Sequence, residues 1–316
     1  MIFLKKPLII LTGPTAVGKT KLSISLAKAV NGAIISADSM QVYRHMDIGS
    51  AKIRPEEMCG VPHYLIDVLD PSEEFHVVKF VELAHEAMEK IYAAGQIPIV
   101  TGGTGFYIQA LLKEVDFTES HGELPIRKQL EEKAATEEGA AELYRELSEV
   151  DPASAETIHP NNVKRVIRAL EYYHETGQKI SEHNEEQKQK ESPYCSAYFV
   201  LNDERSILYD RIDRRVDQMI CDGLVDEVFR LKEMGYTRDL VSMQGLGYKE
   251  LFPYLAGECT LEEAVYIIKR DTRHFAKRQL TWFRRNKATH WYLWGAEPDF
   301  AACRQASTEK LEEYGL

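Results

Sequence analysis

Short continuous runs of apolar residues alternate with helically spaced apolar residues over the first 115 positions. The run at 8–11 is typical of a strand buried in a parallel sheet, and residues 19–30 after it have helical spacing. Runs ending at Asp38 and Thr101 predict two more strands, and HYLIDVLD (63–70) a possible further one. Residues 77–95 predict a long amphipathic helix closed by Gly95. Strands alternating with helices predict an α/β fold with a parallel sheet.

The pattern changes after about residue 115. Residues 127–150 and 161–177 are charged and helical, and the polar stretch 181–192 predicts a loop or a fraying helix. A strand returns at 197–202, followed by three long helices, the first two separated at Gly223, and by a possible edge strand at 291–295. The architecture predicted is a parallel-sheet core (1–115 and 196–316) with helices on both faces and an inserted all-helical subdomain (116–195). The alternative for the insertion is a simple surface excursion.

Composition narrows the class of protein. The 316 residues carry a formal net charge of −11, which argues weakly against a nucleic-acid partner, although a local basic patch can override the sum. Five cysteines without a C-x-x-C pair favour a reducing cytoplasm over a disulfide framework or a zinc site. The N-terminal apolar run is too short for a membrane span and leads into a glycine-rich loop, so we expect a buried strand there.

The strongest chemical signal is GPTAVGKT, which fits the phosphate-loop pattern G-x-x-x-x-G-K-[ST] between a strand and a helix. The predicted α/β core is therefore a P-loop parallel-sheet core. In such a loop, backbone N–H groups surround phosphate oxygens, Lys19 reaches the outer phosphate, and the Thr20 hydroxyl is a candidate ligand for Mg²⁺. The predicted phosphate-binding residues are Gly13, Pro14, Thr15, Ala16, Val17, Gly18, Lys19 and Thr20. The motif alone does not say whether the phosphates belong to a nucleotide.

Two further strand ends carry candidate chemistry. Asp38 is either a carboxylate that faces the phosphate cleft and accepts a proton, or merely the cap of a helix. In TGGTGFY, Gly102 and Gly103 form either a tight turn or a close backbone approach to a ligand, with Thr104 facing it. Because ligands of parallel α/β sheets lie beyond the carboxyl ends of the strands, we expect these residues near the phosphate loop.

Two basic helices follow. Arg211 and Arg215 share one helical face and could clamp a diphosphate, or could pair with Asp213 and Asp217 on the surface. Residues 269–287 contain eight basic side chains and one acid, which suggests either a solvated face or contact with a nucleic-acid backbone. The segment NNVKRVIR (161–168) repeats this basic pattern in the helical insertion.

Together these motifs resemble the bacterial tRNA dimethylallyltransferases, also called tRNA isopentenyltransferases. The resemblance runs nearly the full length and rests, in order, on GPTAVGKT, ISADSMQVYRHMDIGSAK, VTGGTGFY, NNVKRVIRALE, YDRIDRRVDQM, QGLGYKE and KRQLTWFRRN. The phosphate-loop motif alone is common, whereas the joint occurrence of the others is specific. His45 and Ser50 stand where the family usually has glycine and threonine.

The resemblance implies transfer of a dimethylallyl group from its diphosphate to the exocyclic amine of the adenosine 3′ of the anticodon, with Mg²⁺ and without ATP consumption. It implies Asp38 as general base, Thr104 beside the scissile oxygen, and Lys19, Thr20, Arg211 and Arg215 on the diphosphate. Contacts with the anticodon stem-loop of tRNA are implied for Asp38, Ser39, Met40, Gln41, Thr104, Arg127, Lys164, Arg165, Val166, Ile167, Arg168, Gln244, Gly245, Leu246, Gly247, Tyr248 and Lys249. A cytoplasmic monomer without membrane contact is expected.

Two other classes share the phosphate loop. In a small-molecule or nucleotide kinase, the helical insertion would be a lid and Arg211 and Arg215 lid arginines, but the basic stretch 269–287 would have no role. A switch-type NTPase would need a guanine-recognition signature, Asn-Lys-x-Asp, which the sequence lacks.

Overall fold

The computed structural model describes residues 5–115, 125–286, 289–293 and 300–313. These residues divide into two compact units, one formed by Met1–Leu112 with Pro193–Leu316 and the other by Lys113–Ser192. None of the helices within the described ranges is long and apolar enough to cross a membrane.

The first unit contains a parallel sheet of six strands in the order β3-β2-β4-β1-β5-β6. The strands are β1 (Lys6–Thr12), β2 (Gly32–Ser36), β3 (His63–Tyr64), β4 (Ile97–Gly102), β5 (Tyr194–Asn202) and β6 (His290–Leu293). The apolar runs at 8–11 and 197–202 are adjacent, since Ile10 of β1 pairs with Tyr198 of β5 and, on its other side, with Val100 of β4. The predicted parallel sheet is confirmed, and β6 lies at its edge as expected.

Apolar cores cover both faces of this sheet. Along β1, Leu8 and Ile10 belong to one buried cluster and Ile9 and Leu11 to the other, because alternate strand residues point to opposite faces. The helices of this unit are α1 (Lys19–Ala29), α2 (Val77–Ala93), α3 (Gly105–Lys113, whose last residue belongs to the second unit), α9 (Arg205–Cys221), α10 (Leu224–Glu233), α11 (Leu251–Leu255), α12 (Leu261–Phe283) and α13 (Phe300–Glu313). Residues of α2, α3 and α10 enter the first cluster and residues of α1 the second, which confirms helices on both faces.

The second unit is helical in its described part. It contains α4 (Pro125–Lys133), α5 (Glu137–Val150), α6 (Pro152–Thr157), α7 (Val163–Thr176) and α8 (Ile180–Gln189) around a separate apolar cluster that includes Leu143, Leu147 and Leu170. The polar stretch from 181 is therefore mostly helix α8, one of the two structures predicted for it.

Two local features differ from the sequence expectation. The predicted strand at 63–70 is limited to His63 and Tyr64, because Leu65 (φ 63°) and Asp67 (φ 55°) have left-handed backbone that turns the chain out of the sheet. His45 also has a positive φ, of 66°. Glycine adopts such a backbone without strain, which agrees with the glycine usual at this position in the family that the sequence resembles.

Candidate functional site

The phosphate loop connects the end of β1 to the start of α1. Gly18, immediately before α1, has a φ of 94°, a conformation that favours glycine, and no side chain caps this helix end. The first backbone N–H groups of α1 are therefore arranged for an anion. The ammonium group of Lys19 donates hydrogen bonds to the carbonyl oxygens of Gly13 (3.0 Å) and Pro14 (2.8 Å), so it lies over the loop.

Lys19, Arg215 and Asp38 form one electrostatic cluster. Burial, and next the positive charge of Arg215, lower the pKa of Lys19 to about 7, while the negative charge of Asp38 opposes this shift. Burial also lowers the pKa of Arg215, again opposed by Asp38. Two cations in a site with one carboxylate would be stabilised by a further anion, as expected for a diphosphate site.

Asp38 and Thr104, predicted from separate strand ends, lie together. The backbone N–H of Thr104 donates to the carbonyl of Ala37, the residue before Asp38, at 3.2 Å, and the N–H of Ala37 donates to Thr101 at 2.7 Å. A carboxylate oxygen of Asp38 accepts from the backbone N–H of Met40 at 2.9 Å. This side chain forms a local turn and, since no helix begins there, the helix-cap interpretation is wrong.

Two adjoining cavities open at this cluster. The larger, of about 480 Å³, and the smaller, of about 370 Å³, share Asp38, Arg215 and Gly103 in their walls. The smaller contains Lys19 and Thr20 in its lining, whereas Thr104 lines the larger. The larger is also lined by apolar side chains of α9 and α12, namely Ile212, Val216, Met219, Ile268 and Phe275. A phosphate-binding end is thus joined to a roomier, partly apolar space.

The two arginines of α9 have different surroundings. Arg211 forms an ion pair of 2.7 Å with Asp203, whose side chain is fully buried just beyond the end of β5. Both arginines line the smaller cavity, while Arg215 also lines the larger. Arg215 therefore stands at the junction of the two cavities, and Arg211 is held at the rim by a buried carboxylate.

Acidic residues of α9 form ion pairs with some of the basic residues of α12. Arg273 binds both carboxylate oxygens of Asp213 at 2.5 and 2.8 Å, and Lys269 pairs with Asp217 at 2.6 Å. The alternative that Asp213 and Asp217 pair with the arginines of their own helix is wrong, because both acids face α12. Arg278, also on α12, lies in the wall of the larger cavity.

The predicted contact segments 38–41 and 244–249 come together in the first unit. Met40 packs against Gly245, and the Gln41 side chain is bonded to Ser36 at 3.0 Å. Tyr248 is fully buried, and its hydroxyl donates to Glu227 at 2.7 Å. Any tRNA contact at Tyr248 would therefore involve its backbone. Ser39, Gln244, Leu246, Gly247 and Lys249 line the larger cavity.

In the second unit, the predicted contact residues divide by exposure. Lys164 and Arg165 are exposed at the start of α7, whereas Val166 and Ile167 are buried in the helical core. Arg127 and Arg168 both pair with the fully buried carboxylate of Glu171, at 3.2 and 3.0 Å. The basic surface of this unit is thus provided by the first turn of α7, together with Arg127 of α4 and Arg168 of α7, which both pair with a buried carboxylate.

Two buried polar residues of the site are not predicted from the sequence. Glu227 accepts from the backbone N–H groups of Asp47, Ile48 and Gly49 at 3.0, 2.8 and 3.1 Å, and so fixes the loop that precedes Ser50 in the cavity wall. Gln279 bonds to both the phosphate loop and the Gly103 turn. The available signal was a carboxylate or carboxamide on the apolar face of an amphipathic helix.

Aromatic side chains at the start of α3 differ in exposure. Tyr107 is buried, and its hydroxyl donates to Phe75 at 3.3 Å. Phe106, by contrast, is 47% exposed and lies edge-on to Trp282, over which the guanidinium of Arg285 sits at 5.0 Å. Phe106 of α3 and the partly exposed Trp282 of α12 therefore form an accessible aromatic pair, whereas Tyr107 belongs to the core.

The sequence is similar to known isopentenyl and dimethylallyl transferases over most of its length. Residues 41–286 match the family model described as IPP transferase, and residues 6–74 match one described as isopentenyl transferase. The chain is 66% identical over 307 residues to the tRNA dimethylallyltransferase of Lachnoclostridium phytofermentans, covering 97% of both chains. It is 49% identical over 294 residues to that of Carboxydothermus hydrogenoformans, covering 93% of this chain and 94% of the relative.

Solved structures of two tRNA-modifying transferases are similar to the chain. The full-length tRNA isopentenylpyrophosphate transferase from Bacillus halodurans is similar with a TM-score of 0.75 and 45% identity, over 98% of each chain. A eukaryotic dimethylallyltransferase that acts on tRNA has a TM-score of 0.81 and 32% identity, over 98% of this chain and 80% of its own.

Proposed function

The chain belongs to the tRNA dimethylallyltransferase, or IPP transferase, family, and we propose that it transfers a dimethylallyl group from dimethylallyl diphosphate to tRNA. The acceptor is the exocyclic amine of the adenosine on the 3′ side of the anticodon, and diphosphate is released. The observation that carries this proposal is the junction of the two cavities, where a phosphate loop, Arg215 and the Asp38 carboxylate meet.

The smaller cavity is proposed to hold the diphosphate. The N–H groups of the phosphate loop, Lys19 and Arg215 supply positive potential, and Arg211 completes the rim. An allylic carbon separates from diphosphate readily once the developing negative charge is neutralised, so these groups lower the barrier to C–O cleavage. Donor binding also returns the proton to Lys19, because a nearby anion favours its charged form.

Asp38 is proposed to act on the acceptor. The adenine amine is a weak nucleophile, since its lone pair is delocalised into the ring. As the new C–N bond forms, the C–O bond breaks with its electron pair on the diphosphate, and Asp38 accepts a proton from the amine. The acceptor base has to leave its stack to reach this cavity, as bases do in other enzymes that modify them.

The loop chemistry fits Mg²⁺ held chiefly by the substrate. Among the described residues, no group of three His, Cys, Asp or Glu side chains could hold a metal. Mg²⁺ at diphosphate sites commonly takes one or two protein oxygens together with phosphate oxygens, and the exposed Thr20 hydroxyl supplies one. When bound, the ion would neutralise charge on the leaving diphosphate.

The tRNA is proposed to contact basic side chains in both units. Arg278 and Lys249 lie in the wall of the larger cavity, and Lys164 and Arg165 are exposed on α7. Such side chains contact phosphates and make binding depend on salt. A tRNA substrate also agrees with the predicted cytoplasmic location, and the monomeric state stays a prediction.

Titration of the protein with dimethylallyl diphosphate, ATP and GTP, each with Mg²⁺, tests the donor assignment. We expect saturable binding of dimethylallyl diphosphate and its competition by inorganic diphosphate. Tighter binding of ATP, with hydrolysis stimulated by a second substrate, would favour a kinase instead.

A further inference from the structure

Gln279 links two loops of the candidate site. It lies on α12 and is only 6% exposed. Its side-chain oxygen accepts from the backbone N–H of Thr15 in the phosphate loop at 2.9 Å, and its side-chain nitrogen donates to the carbonyl of Gly103 at 3.0 Å. One carboxamide thus accepts a hydrogen bond from the phosphate loop and donates another to the Gly103 turn.

The neighbouring glycine shows how closely this amide is fitted. A Cβ atom on Gly103 would overlap the side-chain nitrogen of Gln279, and the φ of Gly103 is not in the left-handed region. An alanine at position 103 would therefore displace the amide from its hydrogen bonds, although the backbone conformation itself would accept it. A buried carboxamide is costly unless both of its groups are hydrogen-bonded, and an apolar side chain of similar size would fill the same volume.

The two linked loops carry groups that the proposed reaction needs at a fixed distance from each other. Thr15 belongs to the loop that would hold the diphosphate, while Gly103 precedes Thr104, whose backbone is bonded to the residue before Asp38. The same helix also fixes α9, which carries Arg215, through the pair Arg273–Asp213. A shift of α12 would thus change the spacing of leaving group and base together.

We propose that Gln279 is a positioning residue that fixes the phosphate loop relative to the Thr104 turn, and so aligns the donor with Asp38. This inference rests on the proposed function for the identity of the donor. It assigns Gln279 no contact with the reacting atoms; its effect reaches them through the two backbone segments that it holds.

A double-mutant cycle tests the link. Gln279→Met keeps the size of the side chain and removes both hydrogen bonds, Gly103→Ala displaces the amide from the opposite side, and Gln279→Ala makes room for the added methyl group. The readouts are the Kd of dimethylallyl diphosphate, the Kd of inorganic diphosphate, the single-turnover rate with tRNA, and the Tm. Tyr92→Phe is the control, because it removes only a hydrogen bond from the tyrosine hydroxyl to the carbonyl of Pro7, of 2.8 Å, and neither residue lines a cavity of the site.

We expect Gln279→Met to weaken diphosphate and donor binding about 3- to 10-fold, the usual worth of one or two hydrogen bonds, and to slow single turnover further. Gly103→Ala should have a similar effect alone but change binding less than about twofold in the Gln279→Ala background, since coupled residues are not additive. Tyr92→Phe should lower only the Tm.

The proposal is overturned if Gln279→Met lowers the Tm while both Kd values and the rate stay within about twofold of wild type, or if the effects of Gly103→Ala and Gln279→Ala are additive. Should Gln279→Met fail to fold, normal binding and turnover by Gly103→Ala would overturn it equally. A wild-type protein that binds inorganic diphosphate but not the dimethylallyl donor would refute the donor assignment, while the diphosphate affinities still decide the role of Gln279.

Discussion

Replacement of Asp38 by asparagine separates a general base from a turn-forming residue. The Asp38 carboxylate accepts the backbone N–H of Met40 at 2.9 Å, and an asparagine carbonyl oxygen can accept the same bond. The turn should therefore persist, while the ability to take a proton is lost. We expect single-turnover transfer to fall about 10²- to 10⁴-fold, which corresponds to about 2.7–5.4 kcal/mol of activation free energy.

A second effect of the same substitution has to be separated from the first. The negative charge of Asp38 raises the pKa of Lys19, so its removal moves that pKa below about 7 and leaves less Lys19 charged in the free protein. Donor affinity near neutral pH should then fall as well, because the donor diphosphate favours the charged form of Lys19. Measuring the rate at saturating donor and tRNA removes this contribution from the comparison.

Asp70→Asn is the matched control. Asp70 accepts the backbone N–H of Ser72 at 2.9 Å in the same kind of turn, but it lies in neither cavity wall around Asp38. We expect the control to retain wild-type turnover, and Asp38→Asn to keep its Tm. A rate for Asp38→Asn within about threefold of wild type at saturation would remove Asp38 from the mechanism, that margin being far below the loss expected for a general base.

Three further outcomes are expected. At pH 8, where a Lys19 with a pKa of about 7 is largely neutral, donor binding should take up nearly one proton more than in Lys19→Met, measured by calorimetry in buffers of different ionisation enthalpy; equal uptake would contradict the shifted pKa. Lys164→Ala with Arg165→Ala should weaken tRNA binding and flatten its salt dependence at unchanged donor affinity, whereas unchanged affinity across salt concentrations would exclude this surface. Asp203→Asn should weaken donor binding less than Arg211→Ala does, since it keeps the arginine but loosens its anchor; the reverse order would assign Asp203 a direct role.

The parallel sheet and the phosphate loop were predictable because their signals are local. A buried strand, a glycine-rich turn and a helix follow one another at 6–29, so the position of Lys19 needs no knowledge of the rest of the chain. The carboxyl ends of parallel strands meet at one edge of the sheet, so the sequence alone predicts that Asp38 and Thr104 lie close together. The segment 63–70 was less predictable, since its left-handed residues Leu65 and Asp67 carry no sequence signature.

Pairing between distant helices could not be predicted from the sequence. The choice of Asp213 between Arg273 and the arginines of its own helix depends on how α9 and α12 pack, which helical spacing does not specify. The same holds for Gln279, whose partners are 264 and 176 residues away along the chain. Tyr248 is part of a recognisable motif, yet only its burial against Glu227 shows that the motif residue is a packing residue.

The most direct test of the account is whether prenyl transfer to tRNA occurs without ATP. Purified protein is incubated with Mg²⁺, unmodified tRNA and dimethylallyl diphosphate, and nucleoside mass spectrometry and diphosphate release are followed together. We predict one dimethylallylated adenosine, at the position 3′ of the anticodon, for each diphosphate released, with no effect of added ATP. Modification that requires ATP and converts it to ADP, or diphosphate release without modified tRNA, would contradict the proposed function.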